Sequence, residues 1–176
     1  MKKHRKMLTV TNVPYLQSLI RLIETQNKTT LAHWCIDYTR TYILSIYEKA
    51  YPNDPRPKNA LDAADEWLAG DVKLSYVKNI ILNECHVAAR EAKDNPAAQA
   101  AARTCGQVAA SIHTPTHSLG LVLYGALAVA YDKLGANADW ATLTSVAAGE
   151  CTKMQNALQV VAVENEPKPA TIKWSC

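Results

Sequence analysis

The chain has 176 residues, of which 48% are hydrophobic and 20% charged, and these proportions exclude wholesale disorder. A chain of this length forms one domain, and no apolar run reaches the roughly 18 residues that a membrane-spanning helix requires. The net charge of +3 is local, because the lysines and the arginine of segment 2–6 supply +4 of it. A nearly neutral body argues against a nucleic-acid-binding surface, which needs cations gathered on one folded face.

Low aromatic content, at 7% with no phenylalanine, and abundant alanine favour closely packed helices over sheets. Apolar residues recur at helical spacing in seven segments, separated by prolines, glycines and capping residues. In chain order, the predicted helices span about 13–26, 30–50, 57–70, 71–93, 96–112, 115–134 and 140–161. The sequence therefore predicts an all-α protein of about seven helices in one bundle-like or orthogonal array, with no sheet.

The chain divides into a basic disordered head over 1–12, a single helical domain over 13–163 and a tail over 164–176. Five cysteines lie far apart and none forms a C-x-x-C pair, so neither a zinc knuckle nor a redox dithiol is indicated. Four of them fall in apolar helical stretches, where a free thiol behaves as a small hydrophobic side chain. Reduced thiols, and a basic head followed by no convincing signal-peptide core, predict a cytoplasmic protein.

Polar side chains embedded in the helices are the candidates for a functional site. His33 and Asp37 share one face of the second helix because they are four residues apart. His86 lies in the middle of a helix, and His113 and His117 flank a proline at a helix break. One interpretation gathers these five residues into a zinc, iron or manganese site in a helical bundle. Another is a polar network that locks the helices together, and a third is an organic catalytic site.

The metal interpretation is the weaker one. A metal-binding His-x-x-x-His lies within one helix, whereas here a proline stands between the two histidines, and the glutamate of His-Glu-x-x-His is missing. Glycine-rich phosphate loops and a serine nucleophile elbow are also missing. We therefore favour no metal and predict no catalytic residue and no cofactor, and the cluster is assigned a structural or pocket-forming role.

A second candidate is Arg56, which is held between two prolines. Such an arginine is positioned for a bidentate contact with a carboxylate or a phosphate. The alternative is an ion pair with a carboxylate such as Asp54 or Asp62 that fixes the loop against the body of the protein.

Several short motifs follow one another in an order that is typical of one family. They are His33-Trp-Cys-Ile-Asp37, Pro52-Asn-Asp54-Pro-Arg56-Pro57, His86-Val-Ala-Ala-Arg90-Glu-Ala92, Ala102-Arg103-Thr-Cys-Gly-Gln107 and His113-Thr-Pro-Thr-His117-Ser-Leu-Gly120. Over about residues 31–135 the chain resembles the immunity proteins of bacterial polymorphic toxin systems, specifically the fifth numbered immunity family and its relatives.

The resemblance implies an all-helical bacterial cytoplasmic protein that binds and neutralises a cognate protein toxin without catalysis, with neither nucleic acid nor a membrane as a partner. It also gathers the motif residues into one polar cluster, comprising His33, Asp37, His86, Arg90, Arg103, His113 and His117. The alternative function is a metal-dependent hydrolase or small-ligand-binding protein that uses the four histidines of this cluster and Asp37. A homo-oligomer is a further alternative, with apolar contacts from Tyr15, Tyr38, Tyr47 and Trp140.

Overall fold

The computed structural model describes residues 4–8 and 14–172, and within these ranges the chain forms seven helices and no strand. The helices are α1 (Pro14–Ile23), α2 (28–50), α3 (Arg56–Ala69), α4 (74–91), α5 (Pro96–Ala110), α6 (119–134) and α7 (Trp140–Val161). The predicted all-α class is confirmed. Over the described ranges, no helix is long and apolar enough to cross a bilayer.

Helix α5 lies at the centre of the array and packs against α2, α3, α4 and α6. Its inward positions are small residues, which let neighbouring helices approach closely. The fully buried residues of α5 include Ala98, Ala101, Ala102, Cys105 and Ala109. The core is therefore built around a narrow alanine-rich helix rather than around large aromatic side chains.

Three of the helices contain a π-helical segment, and all three segments pack against α5. The segments are Thr39–Ile43 in α2, Ile81–Cys85 in α4 and Leu121–Gly125 in α6. Each inserts a wider turn into an otherwise α-helical run, a feature that is frequent at functional sites. The π segment of α4 ends directly before His86.

Side-chain caps fix several helix starts. The Asn95 side chain accepts from the backbone N–H of Ala98 at 3.1 Å and begins α5, and Asp139 begins α7 by accepting from Thr142 at 2.9 Å. Both caps agree with the predicted boundaries. Helix α2 begins two residues earlier than predicted, because Asn27 caps it.

Helix α4 begins at Leu74 rather than directly after Asp71. The reason is the end of α3, where Gly70 takes a positive φ of 88°. The backbone N–H groups of Gly70 and Asp71 donate to carbonyls of the last turn, at 3.0 Å from Trp67 and 2.9 Å from Glu66. This is a Schellman motif, and it uses Asp71 to finish one helix instead of starting the next.

Residues 4–8 of the predicted disordered head lie against the body of the protein, while 1–3 and 9–12 lie outside the described residues. Leu8 is buried, and its backbone N–H donates to the carbonyl of Leu123 at 3.0 Å. The Tyr131 hydroxyl donates to the carbonyl of Arg5 at 2.9 Å. One apolar side chain and two hydrogen bonds therefore hold this basic segment against α6.

Residues 164–172, predicted as part of a tail, lie against the junction between α1 and α2. The Glu166 carboxylate accepts from the backbone N–H and the side-chain amide of Asn27, both at 2.7 Å. The backbone N–H of Ala170 donates to the carbonyl of Gln26 at 2.8 Å. These contacts fix the chain after α7 to the start of α2.

Two of the four aromatic residues expected to join copies of the chain are in its own core. Tyr38 and Tyr47 are 5% and 1% exposed. Their inward direction removes them as contacts between copies, and only Tyr15 and Trp140 keep partial exposure.

Candidate functional site

The candidate site begins where α4 and α5 come closest. The imidazole of His86 lies against the backbone of Gly106, and a Cβ atom on residue 106 would be 2.8 Å from Cε1 and 2.9 Å from Nδ1 of that ring. A Cβ atom at this separation would force the His86 ring to move, so packing and not backbone conformation favours glycine there. The contact places the half-buried ring of His86 between the two helices.

A second histidine also reaches α5. The 3₁₀ turn Pro115–Ser118 positions His117, whose Nδ1 atom lies 2.6 Å from Oε1 of Gln107. The side chain of Gln107 in turn packs on Gly120, where a Cβ atom would be 2.2 Å from the Cβ of the glutamine. One turn of α5 thus contacts the imidazole of His86 through Gly106 and that of His117 through Gln107.

The electrostatics show that four of the predicted cluster residues lie together. Burial lowers the pKa of His86 below its usual 6.5, and the charges of Arg90, Arg103 and His117 lower it further. Burial also lowers the pKa of His117. Both imidazoles are therefore neutral at pH 7. The positive charge of this region is on the arginines.

The hydrogen bond of His117 fixes its tautomer. A carboxamide oxygen only accepts, so Nδ1 of the neutral ring carries the proton that is shared with Gln107. The Nε2 atom is then an acceptor. Chemically, the arrangement offers neutral imidazole nitrogens beside guanidinium groups, which suits hydrogen bonding and anion binding.

His113 lies at the edge of this group. Its ring centroid is 6.4 Å from that of His117, and its Nδ1 atom is buried with no hydrogen-bond partner among residues 4–8 and 14–172. Burial lowers the pKa of His113, and Lys78, His117 and Lys28 add to the effect. The structure therefore brings His86, Arg90, Arg103, His113 and His117 to one region.

His33 and Asp37, expected in the same seven-residue cluster, make none of these contacts. Both side chains are exposed, and within the described ranges no hydrogen bond, ion pair or ring contact joins either side chain to another residue. The spacing correctly placed them on one face of α2. Trp34, Cys35 and Ile36 occupy the inward faces, so the face with the histidine and the aspartate is the one left to solvent.

The arrangement of potential ligand side chains does not support the five-residue metal site. Among the residues that the structure describes, no group of three or more histidine, cysteine, aspartate or glutamate side chains could hold a metal ion. The metal-dependent hydrolase proposed as an alternative from the sequence required such a group, formed by His33, Asp37 and the other three histidines, and the described residues do not form it.

Most of the chain matches a known protein family. Residues 21–157 match the model of the Imm-5 like putative immunity protein family. The chain belongs to this family. No curated protein and no solved structure shows a significant match to the chain. The matched range contains the whole candidate site, and the resemblance that the motifs indicated is confirmed.

Arg56, the loop arginine within the Imm-5 like range, is paired with acidic side chains of the chain itself. Arg56 donates from Nε to Oδ1 of Asp54 at 2.8 Å and from a terminal nitrogen to Oδ2 at 2.7 Å, and it also reaches Glu91 at 2.6 Å. Tyr47 donates to the same aspartate at 2.6 Å. Because of the Arg56 contact above all, the pKa of Asp54 falls to about 2. These contacts fix the loop to the body of the protein, and the guanidinium of Arg56 already binds two carboxylates of the chain.

Sequence reasoning missed a buried carboxylate in α7. Glu150 is 4% exposed, accepts from the Tyr38 hydroxyl at 2.7 Å and lies 3.3 Å from Nζ of Lys153. Its position one residue before Cys151, on a stripe with Ala147 and Met154, is the signal that could have placed it in the core. In this Imm-5 like chain it joins α7 to α2.

Proposed function

We propose that this Imm-5 like protein binds a cognate bacterial toxin in the cytoplasm and neutralises it by covering the toxin's active site, without catalysis. The observation that carries the proposal is the family match over residues 21–157. The internal arrangement suits a binding protein, since the contacts of Gly106 and Gln107 hold α4, α5 and the 115–118 turn in fixed positions. Outward faces of such a scaffold are free to contact a partner.

We place the toxin contact on the outward face of α2. His33 and Asp37 belong to the motifs that define the resemblance, yet their side chains are exposed and make no hydrogen bond, ion pair or ring contact within the described part of the chain. Tyr42 follows them on the same helix and is 56% exposed, and tyrosine is enriched where partners contact each other. A specific interface covers about 800 Å² on each partner, so these residues would form its centre and not its whole extent.

Co-expression with the toxin encoded by the neighbouring gene tests the proposal. We expect the protein to restore growth and to co-purify with the toxin. A triple variant with His33→Ala, Asp37→Ala and Tyr42→Ala should lose both effects while remaining folded.

The matched control replaces exposed residues of α7, with Thr152→Ala, Asn156→Ala and Gln159→Ala. If neither growth nor co-purification is obtained with the unchanged protein, toxin neutralisation is wrong. If the α7 variant fails and the α2 variant succeeds, the function stands and the placement of the interface is wrong.

A further inference from the structure

A cleft at the junction of α4 and α5 is lined by positive charge. Its volume is about 710 Å³. Its lysine and arginine lining comprises Arg5, Lys6, Arg90, Lys93 and Arg103. Of the lining residues that the structure describes, Asp94 is the one carboxylate. The cleft therefore concentrates cations from the basic head and from a body that is nearly neutral overall.

Three separate parts of the chain build this cleft. Pro96, Ala100 and Arg103 recur at a spacing of three or four residues and form one face of α5. Arg90 lies in the last turn of α4, and Lys93 lies in the 3₁₀ turn between the two helices. The N-terminal segment supplies the third side.

The N-terminal segment is fixed to the body of the protein on both sides of Lys6. The guanidinium carbon of Arg5 lies 4.3 Å from the ring centroid of Trp140, and the Arg5 carbonyl accepts from Tyr131. Leu8 anchors the other side, as described above. The head thus contributes charge at defined positions in the cleft wall.

The cations of the cleft lack carboxylate partners. Within residues 4–8 and 14–172, no ion pair involves any of the five, whereas Arg40 and Arg56 each pair with two acidic side chains. The guanidinium of Arg103 lies 6.0 Å from the ring of Tyr124. Like charges held close together repel one another, and a bound anion relieves that repulsion. Each arginine also presents a planar fork that matches two oxygens of a phosphate.

We propose that this cleft binds a small organic molecule that carries two or more phosphate charges. Its volume falls in the range of about 300–1,000 Å³ that small-ligand sites occupy. The net positive charge of its lining, with five cations and one carboxylate among the described residues, is complementary to a multiply charged anion. The apolar atoms of Pro96 and Ala100 offer a wall for the organic part. The proposal goes beyond toxin neutralisation and does not depend on it.

Isothermal titration calorimetry with ADP and inorganic pyrophosphate tests this site, with sodium sulfate at matched ionic strength for comparison. We expect saturable one-to-one binding of ADP and pyrophosphate, at least about tenfold tighter than that of sulfate. The double variant Arg90→Gln and Arg103→Gln should weaken binding at least about tenfold. The pair Arg90→Lys and Arg103→Lys keeps the charge, loses the planar fork and should weaken binding severalfold.

The matched control removes the same charge elsewhere, with Lys73→Gln and Lys133→Gln, both exposed and away from the cleft. It should leave binding within about twofold of the unchanged protein. If the control weakens binding as much as the glutamine pair, net charge alone attracts the anion and the proposal is wrong. Circular dichroism checks that each variant is folded, and if the glutamine pair is not, the lysine pair decides.

Two other outcomes overturn the proposal. The first is the lack of saturable heat with both ADP and pyrophosphate. The second is tighter binding of a poly-glutamate peptide than of ADP, which would make the cleft a docking surface for an acidic protein segment.

Discussion

The ring of His86 lies against the backbone of Gly106 at a distance that leaves room for a hydrogen atom and not for a methyl group. This contact joins α4 to α5, and it ties a motif histidine to a motif glycine. The position of His86 therefore also depends on Gly106, which has no functional side chain.

Replacing Gly106 with alanine should therefore destabilise the protein. The new Cβ would force the ring of His86 to move, at a cost of about 1–3 kcal/mol, and the better helix propensity of alanine offsets up to about 1 kcal/mol of that. We expect a net loss of about 1–2 kcal/mol in the free energy of unfolding, measured with urea. Gly149→Ala is the control, since no atom lies within 4 Å of that Cβ position, and it should be neutral or stabilising. Equal effects at both positions would contradict the packing argument.

Replacing Asp54 with asparagine should cost about 2 kcal/mol at neutral pH. The pKa of Asp54 falls from 3.8 to about 2 in the folded protein, chiefly through its hydrogen bonds with Arg56. Because the folded pKa is lowered, this contribution is complete above about pH 4 and is lost as the pH falls from there towards 2. Urea unfolding of both proteins across this range measures the difference, which should shrink with acid. Asp132→Asn, which breaks an exposed pair with Lys49, should have little effect.

The half-buried histidines should make the protein sensitive to mild acid. The pKa values of His86, His113 and His117 all lie below 6.5 in the folded protein, because burial disfavours their charged forms. The unfolded chain therefore takes up protons first, and stability is complete above about pH 6.5 and falls below it. The slope of unfolding free energy against pH between 5 and 7 should be shallower in His86→Gln. The exposed His33→Gln variant is the control, and an equal change of slope in both variants would count against the burial argument.

Four thiols should resist alkylation until the protein unfolds. Cys35, Cys85, Cys105 and Cys151 are free and buried, and burial raises the pKa of Cys85 and of Cys151 to about 12. Since the thiolate is the reactive form, a Cys176→Ser variant should show no labelling by iodoacetamide in buffer and four labels in urea. Fast labelling of the folded variant would show that helix packing around α5 opens readily.

Asp37→Ala should leave stability nearly unchanged, which reverses what a buried cluster would predict. The Asp37 carboxylate is exposed and bonds to no described residue, so we expect a change within about 0.5 kcal/mol in urea unfolding. Toxin neutralisation should weaken if α2 forms the interface. A loss of 1–3 kcal/mol would instead show that the carboxylate satisfies buried donors.

Much of the fold could be predicted because its boundaries have local causes. Asn95 and Asp139 cap helices with their own side chains, and such caps are visible in the sequence. The predicted start of α4 was wrong because the backbone N–H of Asp71 bonds to a carbonyl in the last turn of the preceding helix. That hydrogen bond depends on the turn at Gly70. The π segments have no comparable local signature.

The candidate site was harder to predict because it depends on which helix faces point inward. His33 and Asp37 were correctly placed on one face, but spacing alone does not say that this face is solvent-exposed. The basic cleft was missed for a different reason. Its cations come from the head and from residues 90–103, so the near-neutral composition of the body concealed a cluster that only folding assembles.

The alanine-lined helix α5 has a consequence for how proteins of this design can diversify. Most positions along its length face another helix at close range, so a larger residue there has nowhere to go. A saturation mutagenesis library would tolerate little at the buried positions of α5 and a great deal on the outside of α2 and α7. Substitutions that change which partner is bound can then accumulate on the outer faces of α2 and α7, while α5 stays the same.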